Sequence, residues 1–98
     1  MTVEKLLKKL GEYATQGIKR VTDDEGKYIK NVCDPEESKN YVVLNTSYDE
    51  DGSLTVDELV SRLKECDSRK FVINEVGSDV IDVVYECLIE PTAVLLKS

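Results

Sequence analysis

Apolar residues at the head of the chain recur with helical spacing. Val3, Leu6, Leu7, Leu10 and Tyr13 fall on one side, and Glu4, Lys5, Lys8, Lys9 and Glu12 on the other. This pattern predicts an amphipathic helix over residues 2–13, with Thr2 as its N-cap. Beyond residue 17 the period shortens and turn formers appear. The order is a strand-like run at 18–21, an acidic turn Asp23-Asp24-Glu25-Gly26, a second run at 27–33, a loop around Asp34-Pro35 and a third run at 41–46. One helix followed by three strands is the expected unit.

A shift of 53 positions brings the helix back. Thr55, Val56, Leu59, Leu63 and Glu65 are identical to Thr2, Val3, Leu6, Leu10 and Glu12, and Asp57, Val60 and Arg62 replace Glu4, Leu7 and Lys9 conservatively. The downstream order repeats too, with runs at 70–75, 80–89 and 93–97, turns at Gly77-Ser78-Asp79 and Glu90-Pro91, and Pro91 answering Pro35. The expectation is an α+β fold in a single domain over residues 1–98. It is a tandem repeat of two helix-then-three-strand units, at 2–46 and 55–98 with a linker at 47–54. One such unit buries too little alone, so the two should share one core: a mainly antiparallel, six-stranded sheet with both helices packed on it. Along the long run, Ile81, Val83, Tyr85, Cys87 and Ile89 make one apolar face. Val80, Val84 and Leu88 share the other with Asp82 and Glu86. They are either an exposed patch for a partner or a second copy, or are covered by the helices.

The segment from Ser47 to Glu58 has the outline of a twelve-residue calcium loop. Asp49, Asp51 and Glu58 sit at ligand positions three, five and twelve, Gly52 at the sharp turn and Leu54 at the apolar eighth position. Against this, Ser47 stands where the first Asp belongs, and a strand rather than a helix leads in. Thr55 and Glu58 have a rival explanation as a capping box at the start of the second helix. No metal site is therefore expected, with weak calcium binding as an alternative.

Histidine is absent, which removes the commonest general acid-base group and the partner of Ser-His and Cys-His pairs. No Gly-rich phosphate loop or nucleophile elbow occurs, so neither an enzyme nor a cofactor is expected. The three cysteines, Cys33, Cys66 and Cys87, have no C-x-x-C spacing and read as reduced structural thiols. No apolar run approaches the roughly 18 residues that span a bilayer. The absence of a signal-peptide pattern points to the cytoplasm.

Charge is unevenly distributed. The net charge is −7, yet residues 1–20 hold five Lys/Arg against two Glu, while residues 21–60 hold eleven Asp/Glu against three Lys. The acids gather where turns are expected: Asp23, Asp24 and Glu25; Glu36 and Glu37 after Asp34; Asp49, Glu50 and Asp51. Such carboxylates repel nucleic acid and suit a basic groove built to receive it. The plainer reading is that acidic turns are soluble turns.

The amphipathic helix, the acidic hairpins and the chain length resemble small phage and mobile-element proteins of the anti-CRISPR kind, some of which are built as a helix followed by an acidic three-stranded sheet. The resemblance lies in architecture and charge. It implies a stoichiometric inhibitor, acting in the host cytoplasm, that occupies the nucleic-acid-binding surface of a CRISPR effector. It would make no direct contact with nucleic acid or membrane, as monomer or homodimer. A generic interaction or homodimeric assembly module is the alternative.

Overall fold

A computed structural model describes residues 1–14, 20–25, 28–49, 52–86 and 93–97. Two helices and six strands occur in the order α1 (Val3–Ala14), β1 (Arg20–Glu25), β2 (Tyr28–Glu37), β3 (Tyr41–Ser47), α2 (Val56–Leu63), β4 (Phe71–Asn74), β5 (Asp82–Glu86) and β6 (Ala93–Lys97). The fold is α+β, with one six-stranded sheet ordered β4-β3-β2-β1-β6-β5. Pairs β1/β2, β2/β3 and β5/β6 are antiparallel, whereas β3/β4 and β1/β6 are parallel. The parallel pairing of β3 with β4 follows from the connection between them, because the intervening α2 returns the chain to its starting end.

The helices form for the reason their spacing suggests. Val3, Leu6 and Leu10 of α1 are fully buried, as are Val56, Leu59 and Leu63 of α2, so each helix turns one i, i+3, i+7 stripe inward. Alternate strand residues meet these stripes: Val42 and Leu44 from β3, Val72 from β4, Val83 and Leu96 from the β5/β6 pair. Thr55 caps α2 through a complete capping box. Its Oγ1 accepts from the Glu58 N–H at 3.2 Å, and its own N–H donates to Glu58 Oε1 at 3.0 Å.

Four expectations need correction. Asp23, Asp24 and Glu25 belong to β1 rather than a turn, and Asp34 to Glu37 continue β2 rather than forming a loop. Pro35 is tolerated there because the β2/β3 register shifts between Val32 and Pro35, a bulge at which a missing N–H breaks no ladder. The three strands of the second half do not lie side by side. β4 is at one edge beyond β3, the β5/β6 pair is at the other, and one bridge, Ile73 to Asp79, joins β4 to the segment before β5. The strand expected at 80–89 is Asp82–Glu86, and its alternation fails at the start: Val80 is fully buried while Ile81 is exposed. Val80 is thus core and not part of a docking patch, Val84 is half-buried, and Cys87, Leu88, Ile89 and the turn at Glu90-Pro91 lie outside the described residues.

The break at Ile81 falls where the chain passes from one edge of the sheet to the other. The Val80 N–H donates to Val72 of β4 at 3.0 Å, and the next N–H, that of Ile81, donates to Lys97 of β6 at 2.8 Å. Successive N–H groups of an extended segment point to opposite sides, so this segment lies between β4 and β6 and is bonded to both. Met1 fills the remaining gap, accepting from the Val72 N–H at 2.9 Å and donating from its amino group to Val80 at 2.8 Å. The segment before β5 and Met1 thus link the two edge strands of the sheet at one end.

One residue of α1 works against its helix. Gly11 lies in the last turns of Val3–Ala14, and a Cβ there would meet nothing within 4 Å. Gly11→Ala should therefore raise stability by about 0.5–1 kcal/mol by reducing the backbone freedom of the unfolded chain. Urea denaturation checks this, and a destabilised variant would contradict the open surroundings of the site.

Candidate functional site

The acidic residues marked by the sequence fall into two groups along β2. At its N-terminal end, β1 sets Asp23 opposite Lys30, Asp24 opposite Ile29 and Glu25 opposite Tyr28. The side chains of these three acids lie outside the described residues, as do Glu50 and Asp51 altogether. Asp49 is held near this end, where Asn31 Nδ2 donates to its backbone oxygen at 3.3 Å. Glu36 and Glu37 occupy the other end, and the six steps from Lys30 to Glu36 correspond to about 20 Å of strand at roughly 3.3 Å per residue.

Within the second group the two glutamates have different roles. Glu36 is exposed and has no ion pair among the described residues. Glu37 is committed internally: its Oε2 accepts from the Asp67 N–H at 3.0 Å and pairs with Lys70 Nζ at 2.9 Å. Lys70 Nζ also donates to the Ser38 backbone oxygen at 2.6 Å. The Asp67 amide first, and the Lys70 ammonium second, hold the Glu37 carboxyl below the usual carboxylate range. This clasp ties the end of β2 to the connection between α2 and β4. Nearby, Arg62 Nε of α2 donates to Asp34 Oδ1 at 2.9 Å. Asp34 and Glu37 thus fasten β2 to its neighbours, which leaves Glu36 and Asp49 as the acids marked by the sequence whose described side chains are most available to a partner.

The outline of a calcium loop is used differently. Glu58 turns its carboxylate back onto the N–H of Thr55, and the Asp49 N–H donates to Ser47 Oγ at 3.1 Å. Gly52 takes the left-handed conformation, with φ 78°, that the turn into α2 requires. Among the described residues no group of three or more Asp, Glu or Cys side chains is arranged to hold a metal ion.

Cys33 and Cys66 are free and half-buried, and burial is the main cause raising both thiols above their ordinary pKa. A raised thiol holds little thiolate at neutral pH and is a poor nucleophile. Cys87 lies outside the described residues. Among these residues no helix is long and apolar enough to cross a membrane.

The sequence did not mark an apolar surface beside α1. Tyr41 and Phe71 are opposite one another on β3 and β4, both exposed, and Ile81 is exposed across a cleft that also includes Lys5 and Lys9. The available signal was the alternation of β4, which turns Val72 inward and so Phe71 outward. No family model, no curated protein and no solved structure matches the chain.

Proposed function

We propose that this is a non-enzymatic binding protein whose exposed carboxylates occupy a basic, nucleic-acid-binding surface of another protein. A CRISPR effector is the case suggested by the architectural resemblance. The observation that carries the reading is the placement of Asp23, Asp24, Glu25 and Glu36 on hydrogen-bonded strands instead of loops. Asp23, Asp24 and Glu25 are paired with β2 and, at Asp23, with β6 as well. Charges carried on a fixed sheet need less ordering when a partner closes over them than charges on loops do. Two groups about 20 Å apart along one strand suit a groove lined with Lys and Arg better than a point contact does.

The test uses Asp23→Lys, Asp24→Lys, Glu36→Lys and Asp49→Lys together. Glu37 stays in place because Lys70 and Asp67 depend on it. Labelled duplex DNA is bound to guide-loaded CRISPR effectors and to other basic DNA-binding proteins in about 0.1 M salt. The native chain should displace the duplex from at least one of them. The variant should need about 100-fold more protein, at under ~1 kcal/mol for each reversed surface charge. Failure of the native chain to displace any duplex, or equal displacement by both proteins, would sink the proposal.

A further inference from the structure

The cleft beside α1 has the chemistry of a receptor for an acidic knob with an aromatic anchor. It encloses about 560 Å³ between the start of α1 and the linked edges of the sheet. Its apolar lining is Phe71, 52% exposed, and Ile81, 64% exposed, with Asp82 beside them as a single carboxylate. Lys5 and Lys9 form the wall, one helical turn apart, and Lys8 and Glu12 border a second hollow that shares these two lysines. Lys9 is paired with Asp82 at 3.0 Å, whereas Lys5 and Lys8 have no ion pair among the described residues. An apolar centre with a cationic rim is the layout of a protein-binding surface.

The chain itself carries the complement. Tyr48 is 64% exposed, with the Lys30 ammonium 5.1 Å from its ring centre, and the exposed Asp49 follows it directly. In sequence, Glu50 and Asp51 extend the acidic run. The two surfaces cannot meet within one molecule. Tyr41, opposite Phe71 of the cleft, begins β3, and Tyr48 immediately follows the end of β3, roughly 23 Å away at about 3.3 Å per residue.

We infer that the cleft receives the Tyr48-Asp49 corner of a second copy, giving a head-to-tail contact. Because different surfaces meet, the contact is heterologous, and each copy retains an unused cleft and an unused knob. Association therefore propagates with concentration unless a ring closes. Its ionic component weakens as salt rises. This contact shares Asp49 with the acidic-partner reading, but the test changes Tyr48 and the cleft and leaves every carboxylate in place, so that either can fail without the other.

Sedimentation velocity of the full chain from about 10 μM to 1 mM provides the test, a range suited to a small transient interface. The native protein should sediment faster with concentration, and less so in 1 M salt. Tyr48→Ala, which removes the knob, and Ile81→Ser, which breaks the apolar lining, should each stay monomeric throughout. Circular dichroism and thermal unfolding confirm that both variants fold, and Lys5→Glu supplies a second cleft variant. The decisive sample is an equimolar mixture of Tyr48→Ala and Ile81→Ser. One protein keeps its cleft and the other its knob, so the mixture should form capped dimers and nothing larger. A monomeric native chain at 1 mM, self-association of the Ile81→Ser and Lys5→Glu variants at native strength, or a mixture that stays monomeric would overturn the inference.

Discussion

Leu59→Ala should cost about 2–5 kcal/mol of folding stability, while Val60→Ala on the same helix should cost well under half of that. Leu59 is fully buried within the inward stripe of α2, while Val60 is only partly covered at the margin of the same core. Truncating Leu59 removes apolar contacts and leaves a cavity that the flanking Val56 and Leu63 cannot fill by small movements, since both are themselves packed without exposure. A chain of 98 residues has only about 5–15 kcal/mol of net stability. The midpoint of thermal unfolding should therefore drop by roughly 10–30 °C, at about 4–8 °C per kcal/mol for a domain of this size. Calorimetry on the two variants side by side makes the measurement. A Leu59→Ala loss no larger than that of Val60→Ala would mean that α2 does not dock on its Val56, Leu59, Leu63 stripe.

Those positions were legible from the sequence because helical burial is a periodic property and periodicity survives without coordinates. Val3, Leu6 and Leu10 predicted one inward face, and the 53-residue offset carried the same prediction to Val56, Leu59 and Leu63. The capping box at Thr55 was equally visible, since its four-residue signature is local. Pairing between distant strands was not. Tyr28 to Lys30 oppose Asp23, Asp24 and Glu25 across a local hairpin, but the other side of β1 is held by Ala93 to Leu96, partners that no short window contains. Turn propensity argued for the loop and lost to the ladder.

The candidate site shows the same division. That the acids are abundant was plain from composition, but that Glu37 belongs to Lys70 and Asp67 while Glu36 beside it is open depends on a contact across about thirty residues. The cleft was hidden for a related reason. Period-two alternation placed Ile81 with Val83 on one inward face, but Val80 and Val83 are the buried residues and Ile81 is exposed, in the segment that bonds to β4 on one side and β6 on the other. Bonding to β4 and β6 leaves no mark in the side-chain pattern of residues 80–89.

A second large effect is expected at Asn74, a polar residue that the core accommodates at the end of β4. Asn74 is fully buried beside Leu44, its partner in the β3/β4 register. Its Oδ1 accepts from the N–H groups of Val76 and Ser78 at 3.1 and 3.0 Å, which shapes the turn containing Gly77 at φ 86°. Its Nδ2 is buried with no hydrogen-bond partner. Asn74→Asp keeps the shape and the two accepted bonds but puts a second oxygen where no donor reaches it. Two effects oppose each other: the turn amides favour the carboxylate, and burial of the unserved oxygen disfavours it. Burial should prevail, because the amides already serve one oxygen in the native residue, whereas the uncompensated charge is new and costs about 3 kcal/mol or more. Protonation removes that charge, so the carboxyl introduced in the folded variant should titrate above the ordinary value of about 3.9. A raised folded pKa means no penalty below the unfolded value and a growing one as pH rises through the folded value, with a plateau above it. Urea unfolding of the variant and the native chain, compared at pH 4 and pH 7, should show a deficit near zero to about 1 kcal/mol at the lower pH and the full ~3 kcal/mol at the higher. An equal deficit at both pH values would mean that water reaches the Nδ2 position and that the amide there is not orphaned.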